Sequence, residues 1–157
     1  MVSPGNDTAT LNDLKNFSLL KSVTPTTFAM YFLNEVEWPG VIRAKGFFWL
    51  STRPDYIGEV SQAGSLIRHQ GIGVWWSSVD KNEWPDSPEF QDMLDKHWDN
   101  QSGDKRQQIV FIGLKDTMDF DVIKANLDKC LIQDYWQNPE EYHLLKDPFP
   151  NWFKEEN

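Results

Sequence analysis

Cysteine is almost absent from this chain: Cys130 is the single thiol in 157 residues. One cysteine cannot close an internal disulfide, and a lone thiol suits a reducing compartment, so a cytoplasmic protein is expected. Short-spaced Cys and His pairs, the signature of a structural zinc centre, are missing as well; His69, His97 and His143 are far apart in sequence. No apolar run approaches the roughly 20 residues of a membrane helix. Residues 1–13, MVSPGNDTATLND, lack the basic and apolar segments of a secretory signal. Basic residues are in the minority, 15 Lys and Arg against 24 Asp and Glu, for a net charge of −9. A field of that sign repels phosphate backbones, which argues against nucleic acid and for cations and basic protein surfaces.

Catalytic signatures are equally scarce. There is no Gly-x4-Gly-Lys-Ser/Thr loop to cradle a nucleotide's phosphates. Gly71 and Gly73 stand in a strand context, where they read as turn or bulge glycines. Ser77, Ser78 and Ser102 lack the elbow that activates a nucleophile, and carboxylate pairs carry no weight in so acidic a chain. No enzymatic activity, cofactor or dedicated metal centre is expected. Two alternatives depend on the fold. Cys130, His69, His97 and His143 with acidic neighbours could gather round zinc or cobalt. Asp104, Arg106 and His69 could serve a small hydrolase or transferase if they share one pocket.

Aromatic residues are plentiful, with eight Trp and ten Phe. Each buried ring removes roughly 150–250 Å² from water, so the chain can build a core. Residues 14–20 read as a short edge strand. Thr24 and Pro25 open a helix that ends before Trp38-Pro39-Gly40. Residues 41–50 form a strand whose second half, Phe47-Phe48-Trp49-Leu50, is apolar throughout and therefore buried on both faces. Two further strands are expected over 56–63 and 65–79. Ser87 caps a helix with Pro88 at its first position. Residues 107–113 are a strand, Asp119 caps another helix, and a short helix begins at Pro139. Asp147 to Trp152 form a strap over the sheet. Consecutive central strands favour antiparallel pairing. The expected fold is α+β, a single domain with a mostly antiparallel sheet of about four to five strands and two to three helices on one face. Residues 14–152 make the domain, between disordered tails at 1–13 and 153–157.

Two surface features invite function. Arg43 and Lys45 share a strand face, and Asp104, Lys105 and Arg106 precede another strand. If the strands pair, these five could form an anion or partner site, or an ion-pair network that fixes register. Trp75 and Trp76 form an aromatic pair, one ring expected on each side of its sheet, and so a possible interaction surface.

Residues 38–50 read WPGVIRAKGFFWL and run directly into Ser51-Thr52-Arg53-Pro54-Asp55. These segments resemble the C-terminal domain of the CobW family of GTP-dependent metal-insertion proteins, which has a WPGVxRxKGFxWL stretch followed by an S/A-x-R-P-D turn. Ser61-Gln62-Ala63-Gly64, Trp75-Trp76, Gly103-Asp104-Lys105-Arg106-Gln107, Leu127 to Leu131 and Asp147 to Trp152 follow in the family's order. The set spans residues 25–152. Lys105 stands where the family's motif has Arg, which keeps the charge but loses the bidentate fork. The basic, His-bearing run common before the first helix is missing from Leu19 to Thr27. The resemblance implies that GTP and metal chemistry belong to a P-loop domain with a Cys-x-Cys-Cys motif, neither of which occurs in this sequence. What it implies for this chain is an accessory, protein-interaction domain acting with a CobW-type GTPase or a metalloprotein client. Residues 1–13 do not resemble the end of a GTPase domain, which favours a stand-alone relative over an excised piece.

Overall fold

The computed structural model describes residues 16–22, there as a backbone strand, and 38–153. The helix expected over 24–36 and the tails expected at 1–13 and, beyond Phe153, at 154–157 lie outside the described residues.

Among the described residues five strands form one antiparallel sheet: β1 (Asn16–Ser22), β2 (Val41–Phe48), β3 (Tyr56–Ala63), β4 (Leu66–Val74) and β5 (Gln107–Gly113). Their order is β1-β5-β2-β3-β4, so β1 takes the edge position that its weak alternation predicts. β2 and β5 lie at the centre, and their residues alternate accordingly. In β5, Gln107, Ile109, Phe111 and Gly113 are buried while the residues between them are half-buried. Among the described residues the α-helices are α1 (Pro88–His97), between β4 and β5, and α2 (Phe120–Asp128) and the short α3 (Pro139–His143), after β5. Ser87 Oγ accepts from Phe90 N–H at 3.2 Å, and Asp119 Oδ1 accepts from Val122 N–H at 3.2 Å. Both expected caps therefore satisfy a free amide of their first turn.

The main core lies on one face. Ala44, Phe48, Val60, Ile109 and Phe111 project from the strands against Met118, Ile123 of α2 and Phe149 of the C-terminal strap. Burying each of the larger side chains contributes roughly 1.5–3 kcal/mol. A second, smaller core forms where Phe47, Trp49 and Ile57 meet Trp75, Ile132, Tyr135 and Tyr142. Phe48 and Leu50 thus serve one core while Phe47 and Trp49 serve the other, the two-sided burial that an uninterrupted apolar run implies.

Two strand expectations need correction. β2 ends at Phe48, because the Gln107 side chain takes both backbone groups of Trp49: Nε2–H donates to its carbonyl at 2.8 Å and Oε1 accepts its N–H at 2.9 Å. The strand expected over 65–79 ends at Val74. Trp75 N–H turns to the Asp55 carbonyl at 2.9 Å, and Trp76–Ser78 form a 3-10 turn. Asp104 supplies the reason, since its carboxylate captures the amides that a ladder would have used.

Candidate functional site

Asp104 is 2% exposed. Its Oδ2 accepts from Trp76 N–H at 2.9 Å and its Oδ1 from Ser77 N–H at 2.8 Å. A preceding turn delivers it there. Asp99 Oδ1 accepts from the amides of Gln101 and Ser102, and Asp99 and Gly103 exchange backbone hydrogen bonds at 2.8 and 2.9 Å. Those amide donors, Ser102's ahead of Gln101's, hold the Asp99 carboxyl below its ordinary pKa. Gly103 closes the turn at φ +66°, and a Cβ there would fall 2.4 Å from Ser77 Cβ. Any other residue would therefore meet both backbone strain and a clash.

The neighbouring charges are consumed in the same joint. Arg106 Nη1–H donates to the Asp104 carbonyl at 2.9 Å and Nε–H to Gln108 Oε1 at 2.8 Å, with the guanidinium 5.9 Å from the Trp75 ring centre. Lys105 Nζ stands 5.7 Å from the Trp49 ring centre and 3.9 Å from Asp55 Oδ1. Burial lowers the pKa of both cations, against the opposing pull of Asp55 and Asp104 on Lys105 and of Asp104 on Arg106. The Gly103–Gln107 motif thus ties the ends of β2 and β4 to the start of β5.

Arg43 and Lys45 lie elsewhere. They pair with Ile112 and Val110, well along β5 from its start. Four to six residues of strand, on the order of 13–20 Å, separate them from the level of Arg106. Lys45 instead meets Glu59 across β3 at 3.6 Å. The five charges therefore form two groups rather than one. Trp75 is 2% exposed and belongs to the second core, so it is scaffold rather than surface. Trp76 is half-buried, edge-on to Phe90 of α1 at 4.9 Å.

The other proposed constellations do not assemble. Among the described residues no three His, Cys, Asp or Glu are grouped to hold a metal ion. His69 is on β4, His97 ends α1, His143 ends α3 and Cys130 follows α2. Burial pushes the Cys130 thiol up to about 12, far from the thiolate a metal needs. His69 packs edge-on against Phe149 at 5.3 Å, under the strap, away from Asp104 and Arg106.

A cleft of about 780 Å³ opens beside the Asp104 joint. Trp49, Tyr135 and Trp136 line one part of it, their ring centres 5.0–5.9 Å apart. Trp84 and Trp98 line another, 5.6 Å apart. Asp55, Lys81, Lys105 and His143 supply its charged and polar groups, with His143 Nε2 2.8 Å from Tyr135 Oη. Sequence reasoning missed this cleft. Its rings come from four separate stretches of chain, and the only hint was the unusual number of tryptophans.

Comparison with known proteins places the fold. Residues 17–131 match the family model described as the cobalamin synthesis protein cobW C-terminal domain. The chain belongs to that family. It is 34% identical over 113 residues to a zinc-regulated GTPase metalloprotein activator of Dictyostelium discoideum, covering 72% of this chain and 22% of that one. A zinc chaperone of Mycobacterium tuberculosis is 27% identical over 119 residues, covering 72% of this chain and 28% of its own. The zinc-bound YjiA GTPase of E. coli superposes at a TM-score of 0.49 with 13% identity, over 76% of this chain and 30% of that one. This CobW C-terminal domain chain therefore spans about a quarter of the length of the curated relatives it matches. None of its described helices is long and apolar enough to cross a membrane.

Proposed function

We propose that this chain is a non-catalytic interaction domain that works with a CobW-type GTPase or a metal-handling client protein. One observation carries the reading. The family match falls on a segment that makes up 22–28% of a GTPase metalloprotein activator and a zinc chaperone, while these 157 residues contain no phosphate-binding loop. The inward use of Asp104 and Arg106 supports it further, since groups committed to backbone amides and carbonyls are poorly placed to attack a substrate. Residues 14–152 form the folded unit in this reading. The single buried thiol fits a cytoplasmic setting.

The test is capture from a cell lysate on the immobilised chain, with and without GTP and zinc, read by mass spectrometry. Recovery of a CobW-type GTPase or a defined metalloenzyme is the expected result. Recovery of neither would overturn the assignment, as would steady release of phosphate from GTP by the purified chain alone.

A further inference from the structure

Arg43 and Lys45 take no part in the Asp104 joint, and the register of the sheet gives them a setting of their own. They stand on the face of β2 opposite the main core, where Ala44 and Phe48 point the other way. Lys45 pairs with Ser61 of β3, and Ser61 with Arg68 of β4, so Lys45 and Arg68 lie in one row two strands apart. In the next row Arg43 pairs with Ala63, and Ala63 with Leu66. Val110 and Ile112 of β5 complete the two rows on the other side of β2. At about 4.8 Å between strands and about 3.3 Å per residue, Lys45 and Arg68 are roughly 10 Å apart at the backbone, and Arg43 and Arg68 roughly 12 Å.

The charge of this patch is opposite to that of the chain. Arg43, Lys45 and Arg68 are all exposed. Among the described residues of this part of the face the acid is Glu59, one row further along β3. It lies 3.6 Å from Lys45 Nζ and accepts from Gln70 Nε2–H at 3.1 Å. Arg43 and Arg68 have no ion-pair partner among the described residues. Three cations and one carboxylate give +2, so the total of −9 leaves −11 for the rest of the chain. Two unneutralised guanidiniums on so acidic a protein focus its attraction for carboxylates here. The patch is not simply a solvated sheet face, which alternation makes polar outward. Val110 and Ile112 present half-buried apolar side chains beside the cations, and Leu66 is 53% exposed. A depression of about 440 Å³ adjoins Arg68, with Ser61 and Gln70 in its lining.

From this the geometry points to a docking site for an acidic, amphipathic helix of a partner protein, its carboxylates on Arg43 and Arg68 and its apolar side chains on Val110, Ile112 and Leu66. A guanidinium fork matches a carboxylate with two hydrogen bonds, which makes an unpaired arginine the better anchor for such a group than a lysine. Two turns of helix rise roughly 11 Å, so acids two turns apart on one helix face reach both arginines. A short acidic segment stays within the patch. A nucleic-acid backbone would run on over a surface of net −11, which repels it. The inference rests on the interaction-domain reading and names the chemistry of its partner.

The experiment titrates the full chain with labelled peptides of equal length and reads fluorescence anisotropy. Three share leucines at helical spacing and carry glutamate, lysine or glutamine elsewhere; a fourth has glutamate with serine in place of leucine. The glutamate–leucine peptide should bind about tenfold more tightly than each of the others. Arg43→Glu and Arg68→Glu should each weaken it about fivefold, with unchanged circular dichroism. The double variant should reverse the preference and favour the lysine–leucine peptide. Lys96→Glu, an exposed cation on α1, should change the affinity less than about twofold. An equal loss in Lys96→Glu would mark the general field of the protein and overturn the site. Equal binding of the lysine–leucine or glutamate–serine peptide, tighter binding of a thymidine oligonucleotide, or no saturation below about 1 mM would overturn it too. Should a charge reversal unfold the chain, Arg43→Gln and Arg68→Gln take its place, and an unchanged affinity in both settles the matter against this face. Lysate capture separates the two claims. A GTPase still held by the double variant would reject the face and keep the interaction domain; selective binding of the glutamate–leucine peptide with no GTPase or metalloenzyme captured would do the reverse.

Discussion

Arg53 holds Asp147 through two hydrogen bonds, Nε–H to Oδ2 at 2.7 Å and Nη2–H to Oδ1 at 3.1 Å, across 94 residues of chain. The same guanidinium donates to the carbonyls of Phe149 and Pro150 at 2.8 and 2.9 Å and stacks on Trp152. One side chain thus pins the strap that covers the core. Arg53→Ala is expected to cost about 2–4 kcal/mol, because it strands a half-buried carboxylate as well as losing the clamp. Arg53→Lys should cost about 1–2 kcal/mol, since an ammonium cannot reproduce the fork or the stack. Urea unfolding measures both. Equal stability of all three proteins would show that the strap is held by its aromatic rings alone.

His69 lies under that strap, and its pKa is lowered from 6.5 by burial first and by the nearby Arg53 charge second. The folded state therefore binds this proton less readily than the unfolded chain. The stability it contributes is present above about pH 6.5 and declines as pH falls from there toward the lower folded value. Asp147 acts in the same direction at lower pH. Burial raises its pKa, but the hydrogen bonds from Arg53, Thr52 and Phe149 N–H outweigh this and hold it below 3.8. The melting temperature of the parent should drop between pH 7 and 5.5, and His69→Phe should flatten that drop. A parallel decline in the variant would assign the effect to other groups.

Gln107, 4% exposed, replaces a strand neighbour for Trp49. Gln107→Glu keeps the acceptor but turns the donor into a second oxygen facing the Trp49 carbonyl. A loss of about 2–4 kcal/mol is expected, from an unsatisfied carbonyl and a buried charge. Chemical denaturation at pH 8, where the carboxylate is ionised, gives the number; a cost under 0.5 kcal/mol would mean that water reaches this position.

Asp104→Asn should loosen the Trp75–Ser78 turn, because an amide oxygen can accept from only one side while its NH₂ faces a donor. A cost of about 1–3 kcal/mol is expected, with reduced near-ultraviolet dichroism from the tryptophans of the second core. Retention of the full aromatic signal would argue that Gly103 and the Asp99 turn set this geometry unaided.

Cys130 should resist thiol reagents at pH 8. With its pKa pushed up to about 12 by burial, the thiolate fraction in the native state is very small. Labelling should keep pace with unfolding and accelerate strongly in urea. Rapid stoichiometric labelling of the native protein would contradict the buried position.

Much of this fold was legible in the chain. The α+β class, the edge position of β1, the caps at Ser87 and Asp119 and the strap all follow from local signals: alternation, a capping side chain before an apolar face, proline at a helix start. Trp75-Trp76 misled because strand propensity is a statement about packing, and here a carboxylate 28 residues away claimed the backbone. Arg43 and Lys45 did share the face that alternation predicts, yet register placed them far from Asp104, and no single strand's sequence carries its register.

By itself, then, the sequence determined most of the strand and helix segments among the described residues and the family they compose, since each depends on residues close together in the chain. The tertiary structure alone decided that Asp104 is joined to Trp76, Lys105 to Trp49 and Arg106 to Trp75, that Trp75 is core, and that tryptophans from distant segments wall one cleft. Those outcomes depend on hydrogen bonds and ring contacts between residues tens of positions apart. Their geometry is set only when the sheet closes.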